Sequence, residues 1–481
     1  MKKRVLFYLF FAVFGSVGAQ TPCQHIDDYS LAIMGSSVPS GTGADAGKGY
    51  AQLFQKYLEN NAVNEWKVTN ISIPGNNTTD VMNRWNTDLL PACTRYVYYG
   101  LSLGNEGIHE KGQSAFDSWR DNMQTLINRA REAGKIPLIG NNYPRGDFNS
   151  TDYNYVKQLN LLIHEWDVPS VNLLGAIDNG SGQWASGYVY DNAHPNTAGH
   201  AEMFYAIVPS LMDALAAGKP QPVKKQNSSL VLVKGNTVQR IAFTPENILH
   251  SFTLTFSFKT TDIGTLASFV TEGGDTARLI LNSNGRLTYK SQVSAGFLND
   301  GNWHTVSLTH YYAQGKTQLY IDGARIARTN PETEKLVPIK FFLNDFDNAP
   351  QYIEYRELFF HRSGMCAEEI AALYQGKLLK SSLEIYAPLD VVSEKDVLYN
   401  SAQSLNMLDI EENNILNGLD ETRFDKNQKF KGMTFYSLLG QKLFHTTDNN
   451  FNCSRKLLAG VYVVKIISEQ GEVTSKKIVV E

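Results

Sequence analysis

At 481 residues, 42% of them hydrophobic and 19% charged, the chain has a globular composition and exceeds what one ordinary core accommodates, so roughly two to four domains are expected. A formal net charge of -4 without a polybasic tract gives nothing that points to nucleic acid or an anionic membrane surface as a partner.

The chain opens with Lys2-Lys3-Arg4, an apolar run from Val5 to Val17, and Gly18-Ala19 ahead of Gln20. A basic start, a hydrophobic centre and small residues at the end make a secretory signal peptide, so residues 1–19 are expected to be cut off on export. No later run has the length and apolarity of a membrane span, which predicts a secreted or cell-surface protein. Export permits disulfides among Cys23, Cys93, Cys366 and Cys453. Cys23 with Cys93 is the favoured pair, because both lie just upstream of apolar runs that can be neighbouring strands; four free thiols are the alternative.

Residues 22–217 alternate strand-like and helix-like segments. Leu31 to Gly35 reads as a first buried strand, Tyr50 to Leu58 as an amphipathic helix, and Trp66 to Ile73 as a second strand ending at Pro74-Gly75-Asn76-Asn77. Arg95 to Leu103 is a third strand. Ala115 to Ala133 has helical periodicity, with Trp119, Met123, Leu126, Ile127 and Ala130 on one face. Ile136 to Ile139 is a fourth strand, Tyr153 to Trp166 a helix, Val171 to Leu174 a fifth strand, and Thr197 to Ala217 one closing helix. This order predicts an α/β layer fold with a mainly parallel sheet whose strand C-termini share one crevice.

The chemistry gathers at those strand ends. The first strand stops at Gly35-Ser36-Ser37, where either serine can serve as a nucleophile. Gly75 offers an unobstructed backbone N–H, and Asn105 in Gly104-Asn105-Glu106-Gly107 offers an amide, the two donor types an oxyanion needs. In Tyr190-Asp191-Asn192-Ala193-His194 a carboxylate precedes an imidazole by three residues, so one tight loop can hold both and serve a serine as base. A metal site on Asp191, His194 and His200 is the competing reading. Glu106 and His109 lie near enough to the crevice to touch substrate or simply to face solvent, and His164 reads as a structural helix residue.

These four blocks resemble those of the SGNH hydrolases, also called the GDSL esterase/lipase family. The family's Gly-Asp-Ser falls on Gly35-Ser36-Ser37, its second-block glycine on Gly75, its third-block asparagine on Asn105 and its Asp-x-x-His on Asp191 and His194. The resemblance implies a flavodoxin-like three-layer fold and a Ser37, His194, Asp191 triad without metal or cofactor. It also implies an oxyanion hole from the Ser37 and Gly75 amides and the Asn105 side chain. Ser36 departs from the usual Asp, and Gly104-Asn105-Glu106 from Gly-x-Asn-Asp.

Residues 218–227, polar with two prolines, read as a linker. From 228 to 392 the pattern turns all-β. Phe252, Leu254, Phe256 and Phe258 alternate with Thr253, Thr255 and Ser257 as in a half-buried strand, and Leu279 to Tyr289 reads as a hairpin around Asn282-Ser283-Asn284-Gly285. With Asp300-Gly301-Asn302-Trp303-His304, Leu319-Tyr320-Ile321-Asp322-Gly323, Tyr355 to Phe360 and a short helix from Ala367 to Tyr374, this region resembles concanavalin A-like, laminin G-like sandwiches. Many of those bind glycans. Residues 405–481 read as a small β-sandwich; Gly460-Val461-Tyr462 and the basic, β-branched tail Lys476 to Val480 are similar to the C-terminal sorting domain of type IX secretion, which implies that machinery as a partner.

Taken together, these readings lead to an exported serine esterase acting on O-acetylated glycans. A lipase or phospholipase, and an inactive surface glycan-binding or adhesion protein, are the alternatives.

Overall fold

The computed structural model describes residues 23, 25–225, 229–234, 237–326, 330–390, 397–414, 430–437, 442–447, 460–468 and 473–480. The signal-peptide reading lies outside them, as does Cys453. Two compact units are present: one reaching to residue 412 apart from 235–237, the other comprising those three residues and 413–481.

The first unit begins with a five-stranded parallel sheet, order β2-β1-β3-β4-β5, formed by β1 (Asp27–Gly35), β2 (Lys67–Asn70), β3 (Thr94–Gly100), β4 (Ile136–Gly140) and β5 (Ser170–Val171). Side chains alternate across it with period two. Leu31, Ile33, Tyr96, Tyr98 and Leu138 pack with Tyr50, Phe54 and Leu58 of helix Tyr50–Asn61. Ala32, Met34, Val97, Tyr99 and Ile139 pack on the other face against Trp119, Met123, Leu126, Ile127 and Ala130, the stripe expected on helix Gln113–Glu132. Both faces are therefore covered, as a parallel sheet requires. Cys23 and Cys93 are disulfide-bonded, tying the chain ahead of β1 to the approach of β3.

Two expected elements differ. β5 spans only Ser170–Val171, and Leu174 begins a short helical turn, Leu174–Ile177, because the Asn141 and Asn172 side chains accept the Leu173 and Gly175 amides that a longer strand would direct to a neighbour. The closing helix is two helices, Thr197–Tyr205 and Leu211–Ala216, since Pro209 between them has no N–H to give. Helix Thr78–Arg84 was not expected; its start is set by a capping box in which Asn77 Oδ1 accepts the Asp80 amide and Asp80 Oδ2 accepts the Asn77 amide.

Beyond residue 228 the same unit continues as two antiparallel sheets. Strand Phe252–Lys259 lies between His304–Tyr311 and Glu354–His361, and the hairpin Thr276–Leu281 to Leu287–Tyr289 forms as read. The half-buried expectation for Phe252–Lys259 fails: Thr253, Thr255 and Ser257 are as buried as the phenylalanines. Their hydroxyls pair across the sheet with Thr309, Ser307 and Thr305 at 3.0, 2.8 and 2.8 Å, and the loop carrying Ser363 and Met365 bonds to Thr253. A polar face can be buried when every hydroxyl finds a partner.

The stretch 218–225, read as a linker, is held in place: Lys219 Nζ donates to the Ser404 carbonyl, the Lys225 amide to Tyr386 Oη, and Lys224 pairs with Glu357. The α/β and all-β regions meet directly. The Ser382 amide donates to the Ser170 carbonyl on edge strand β5, and Ser382 Oγ accepts the Asn172 amide. His164 is structural, as expected: its Nε2 donates to Glu369 at 2.9 Å while Nδ1 accepts the Lys380 and Ser381 amides. Arg362 and Glu384 form a fully buried ion pair, and Arg362 Nε also donates to the Tyr205 carbonyl.

The second unit carries a four-stranded antiparallel sheet of Lys442–Thr446, Phe430–Ser437, Gly460–Ser468 and Val473–Val480. Leu408 and Asp409 still belong to the first unit, where they pair with Leu398 and Val397, so the chain from 405 does not enter the C-terminal sheet at once. Among the described residues no helix is long and apolar enough to cross a membrane.

Candidate active site

Gly35 ends β1 where the chain presses against β3: a Cβ there would stand 2.2 Å from the Gly100 carbonyl oxygen and 2.6 Å from Pro39 Cγ. Only glycine fits, and the turn it allows puts Ser37 at the start of the short helix Ser37–Ser40. The Ser36 amide is bonded to the Gly100 carbonyl, and Ser36 is fully buried, with the Tyr143 hydroxyl as the polar neighbour of its Oγ. Of the two serines it is Ser37 that faces the imidazole.

His194 Nε2 lies 2.9 Å from Ser37 Oγ, and His194 Nδ1 lies 2.8 and 2.9 Å from the two Asp191 oxygens. An Nδ1–H donated to the carboxylate leaves Nε2 with its lone pair toward the serine, the tautomer a general base needs. Asp191 Oδ1 also accepts the Ala193 and His194 amides at 2.8 and 2.9 Å. Partial burial pushes this carboxyl up, but the His194 ring and those amides outweigh it and hold it below the ordinary carboxylate range. The loop is pinned from outside by Trp184 Nε1 and the Gly146 amide, both donating to the Asn192 carbonyl, and by the Val189 to Pro195 bridge.

Gly75 is exposed with φ +81°, a conformation that favours glycine, and nothing lies within 4 Å of where its Cβ would be. The neighbouring Asn76 carbonyl accepts from Asn105 Nδ2 at 2.9 Å, so the second and third blocks are physically joined. Asn105 has a second N–H on that nitrogen to offer a developing oxyanion. The geometry thus joins Ser37, His194 and Asp191 in one hydrogen-bonded chain and links Asn105 to Asn76, the residue after Gly75, in another. Asn105→Ala is expected to lower kcat for 4-nitrophenyl acetate about 10²- to 10³-fold with KM nearly unchanged, measured by steady-state kinetics.

Two arginines that the sequence reading passed over hold this arrangement. Arg145, in the loop after β4, donates to Asn105 Oδ1 at 3.3 Å while its fork grips Asp147 at 3.0 and 2.8 Å, which turns the amide so that Nδ2 faces the Asn76 side. Arg84 donates to Asn76 Oδ1 at 2.6 Å, to the Ile71 carbonyl at 2.8 Å and to the Gly35 carbonyl at 3.2 Å, lacing the first block to the second. For Arg145 the available signal was its place after a parallel-strand C-terminus; for Arg84 there was none.

The remaining candidates have other tasks. Both ring nitrogens of His200 are taken, Nδ1 by the Tyr50 amide at 3.1 Å and Nε2 by the Thr42 carbonyl at 2.9 Å, so His200 has no lone pair for a metal. Burial depresses its pKa to about 4, against an ordinary value of 6.5. Because the unfolded chain binds this proton first, His200 should cost about 3 kcal/mol of stability as pH falls from about 6.5 to 4. Urea midpoints of wild type and His200→Asn at the two pH values test this, the variant showing the smaller decline. Glu106 is buried and caps helix Thr78–Arg84 by accepting the Thr78 amide at 2.6 Å. His109 is exposed and pairs with Asp152 at 2.9 Å, which raises its pKa.

Residues 33–202 match the model of the GDSL-like Lipase/Acylhydrolase family. No curated protein matches the chain. Similar solved structures include a catalytic mutant of Axe2, an acetylxylan esterase from Geobacillus stearothermophilus, at 16% identity and TM-score 0.32 over 37% of this chain and 92% of that one. They also include the lipase Lip_vut3 from a goat rumen metagenome, at 13% identity and TM-score 0.31 over 36% and 93%. Residues 33–202 are a GDSL-like lipase/acylhydrolase domain, and the chain is an ester-hydrolysing serine hydrolase.

Proposed function

We propose that the protein is exported and removes acetyl groups from an O-acylated glycan by acyl transfer through Ser37. The observation that carries the chemistry is the unbroken chain from Asp191 through His194 Nδ1 and Nε2 to Ser37 Oγ. Ser37 Oγ attacks the ester carbonyl carbon as its proton passes to His194 Nε2. The carbonyl oxygen takes the negative charge and is held by the Ser37 and Gly75 amides and Asn105 Nδ2. Collapse breaks the bond to the alkoxy oxygen, which leaves with the proton from His194. Water then attacks the acyl-enzyme with His194 as base again, giving a carboxylic acid and free Ser37.

Support for a bulky alcohol comes from exposure: Gly75 and Pro74 on one side and Tyr190, 64% exposed, on the other leave the serine approachable by a polymer. The two antiparallel sheets packed on the hydrolase, read as a concanavalin A-like, laminin G-like sandwich, support a glycan substrate. Export by residues 1–19 and recognition of the C-terminal sheet by type IX machinery complete the proposal. A lipase or phospholipase is the second reading, and the exposed Ile73, Val189 and Tyr190 favour it.

Rates on acetyl and octanoyl nitrophenyl esters, with acetate release from an acetylated polysaccharide, decide between the two. Preference for acetyl with release from the polymer is expected; preference for octanoyl with none released would establish the lipase reading instead.

A further inference from the structure

Where the α/β region meets the sandwich there is a cavity of about 270 Å³, just below the roughly 300–1,000 Å³ common for ligand pockets. It lies apart from the triad residues, none of which lines it. One wall is the loop that begins at Asp178; further along, the same loop gives its Gly182 carbonyl to the Arg145 amide and carries Trp184, which bonds the Asn192 carbonyl. The cavity is therefore one loop away from the triad's own support.

The acids lining it are all engaged. Glu368 pairs with Lys157 at 2.5 Å, and Glu369 accepts from His164 and Asn172, both at 2.9 Å. Asp178 accepts Tyr153 Oη at 2.6 Å and the Gly182 amide at 2.8 Å. The cations are not matched in the same way. Lys316 and Arg325 both line the cavity, and among the described residues neither forms an ion pair. Lys316 is held below its ordinary pKa, first by burial and then by the charge of Arg325. Asp178 offsets this repulsion only in part and the Tyr311 ring lies 6.0 Å from Lys316 Nζ, so an anion between the two cations would relieve the rest.

Gln318 also lines this space. Gln318 is 1% exposed; its Nε2 donates to Gln292 Oε1 and to the Leu319 carbonyl, both at 3.1 Å, while Oε1 has no hydrogen-bond partner. A buried acceptor left unpaired costs about 1–3 kcal/mol, which a ligand hydroxyl would recover. Tyr153, Tyr311 and Tyr320 also line the cavity, the first two with the Lys157 and Lys316 ammonium groups over their rings at 4.8 and 6.0 Å.

We infer that this cavity is a binding subsite for one anionic sugar residue of a polysaccharide, its acid group on Lys316 and Arg325 and a ring hydroxyl donating to Gln318 Oε1. The choice of a sugar rests on the glycan reading above; the preference for negative charge rests on the cavity alone. Carboxylated and sulfated sugars share this chemistry.

The test is calorimetric titration of the full chain with three non-acetylated trisaccharides, one of galacturonate, one sulfated and one neutral. At least one anionic trisaccharide should bind saturably and at least tenfold more tightly than the neutral one, and which of them does identifies the acid group. Lys316→Gln with Arg325→Gln should remove that preference at least tenfold. Arg325→Gln alone, on an exposed side chain, should weaken it in a chain whose unfolding midpoint is unchanged. Equal binding of all three sugars, no saturable binding, or full binding by the double variant would overturn the inference. Acetate release from acetylated polysaccharide, measured in parallel on the wild type, separates the two claims: release without anionic binding sinks the subsite and leaves the glycan esterase standing, whereas binding without release does the reverse.

Discussion

Ser37→Ala is expected to lower kcat for 4-nitrophenyl acetate by about 10⁴- to 10⁶-fold, whereas Ser36→Ala should stay within about threefold of wild type. The contrast follows from two adjacent hydroxyls in opposite surroundings. Ser37 Oγ is 2.9 Å from His194 Nε2, which can take its proton, and among the described residues no other nucleophile is hydrogen-bonded to that nitrogen. Ser36 Oγ is buried, with the Tyr143 hydroxyl as its polar neighbour and not the His194 ring, so its loss takes no group from the triad and opens a space of one oxygen. Burst kinetics with the nitrophenyl ester, and acyl transfer to a single residue located by peptide mass, check the assignment. Comparable loss in both variants would mean that the Gly35 turn itself had been disturbed, and comparable retention that the ester is cleaved elsewhere.

The serine, imidazole and carboxylate that the structure joins were legible in the sequence because they carry their chemistry in their own side chains, Ser37 just past the end of β1 and Asp191 with His194 in one tight loop. Residue type and spacing mark Asp191 with His194 and a pair of serines, the family resemblance selects Ser37 of the two, and the fold only has to bring two loops together. What supports them was not legible. Arg84 lies on a helix with no chemical signature, and its importance comes from three acceptors supplied by β1, the chain after β2 and Asn76, far apart in sequence. Glu106 looked like a crevice residue from its position after Asn105, yet it is spent on a helix start 28 residues earlier.

The parallel sheet and its main helices were readable from periodicity, which records burial on one face. Periodicity is silent where a second region covers the other face. Thr253, Thr255 and Ser257 look solvent-facing by type, but the Ser363 to Met365 loop and cross-strand hydroxyl pairs enclose them. The same limit applies to β5, whose truncation depends on the side chains of Asn141 and Asn172, and to the segment 218–225, whose polar composition suits a linker although its lysines are anchored on the sandwich.

Asp191→Asn should reduce kcat about 10³- to 10⁴-fold while leaving the fold and KM almost unaltered. The carboxylate does two things at once. Its Oδ1 accepts the Ala193 and His194 amides and so shapes the loop, and the pair of oxygens fixes Nδ1–H on the imidazole. An asparagine can keep the first task, since an amide oxygen accepts backbone N–H bonds equally well. It fails at the second: an NH₂ group turned toward Nδ1 favours the tautomer with its proton on Nε2, which then donates to Ser37 Oγ instead of accepting from it. Because Asp191 is held below the ordinary carboxylate range, wild-type activity should not fall through the loss of this charge anywhere near neutral pH. A pH-rate profile of both proteins checks this, together with an unfolding midpoint to show that the loop is intact. A variant that retains more than about a tenth of wild-type kcat would show that His194 works without Asp191, and would move the role of orienting the imidazole to another group.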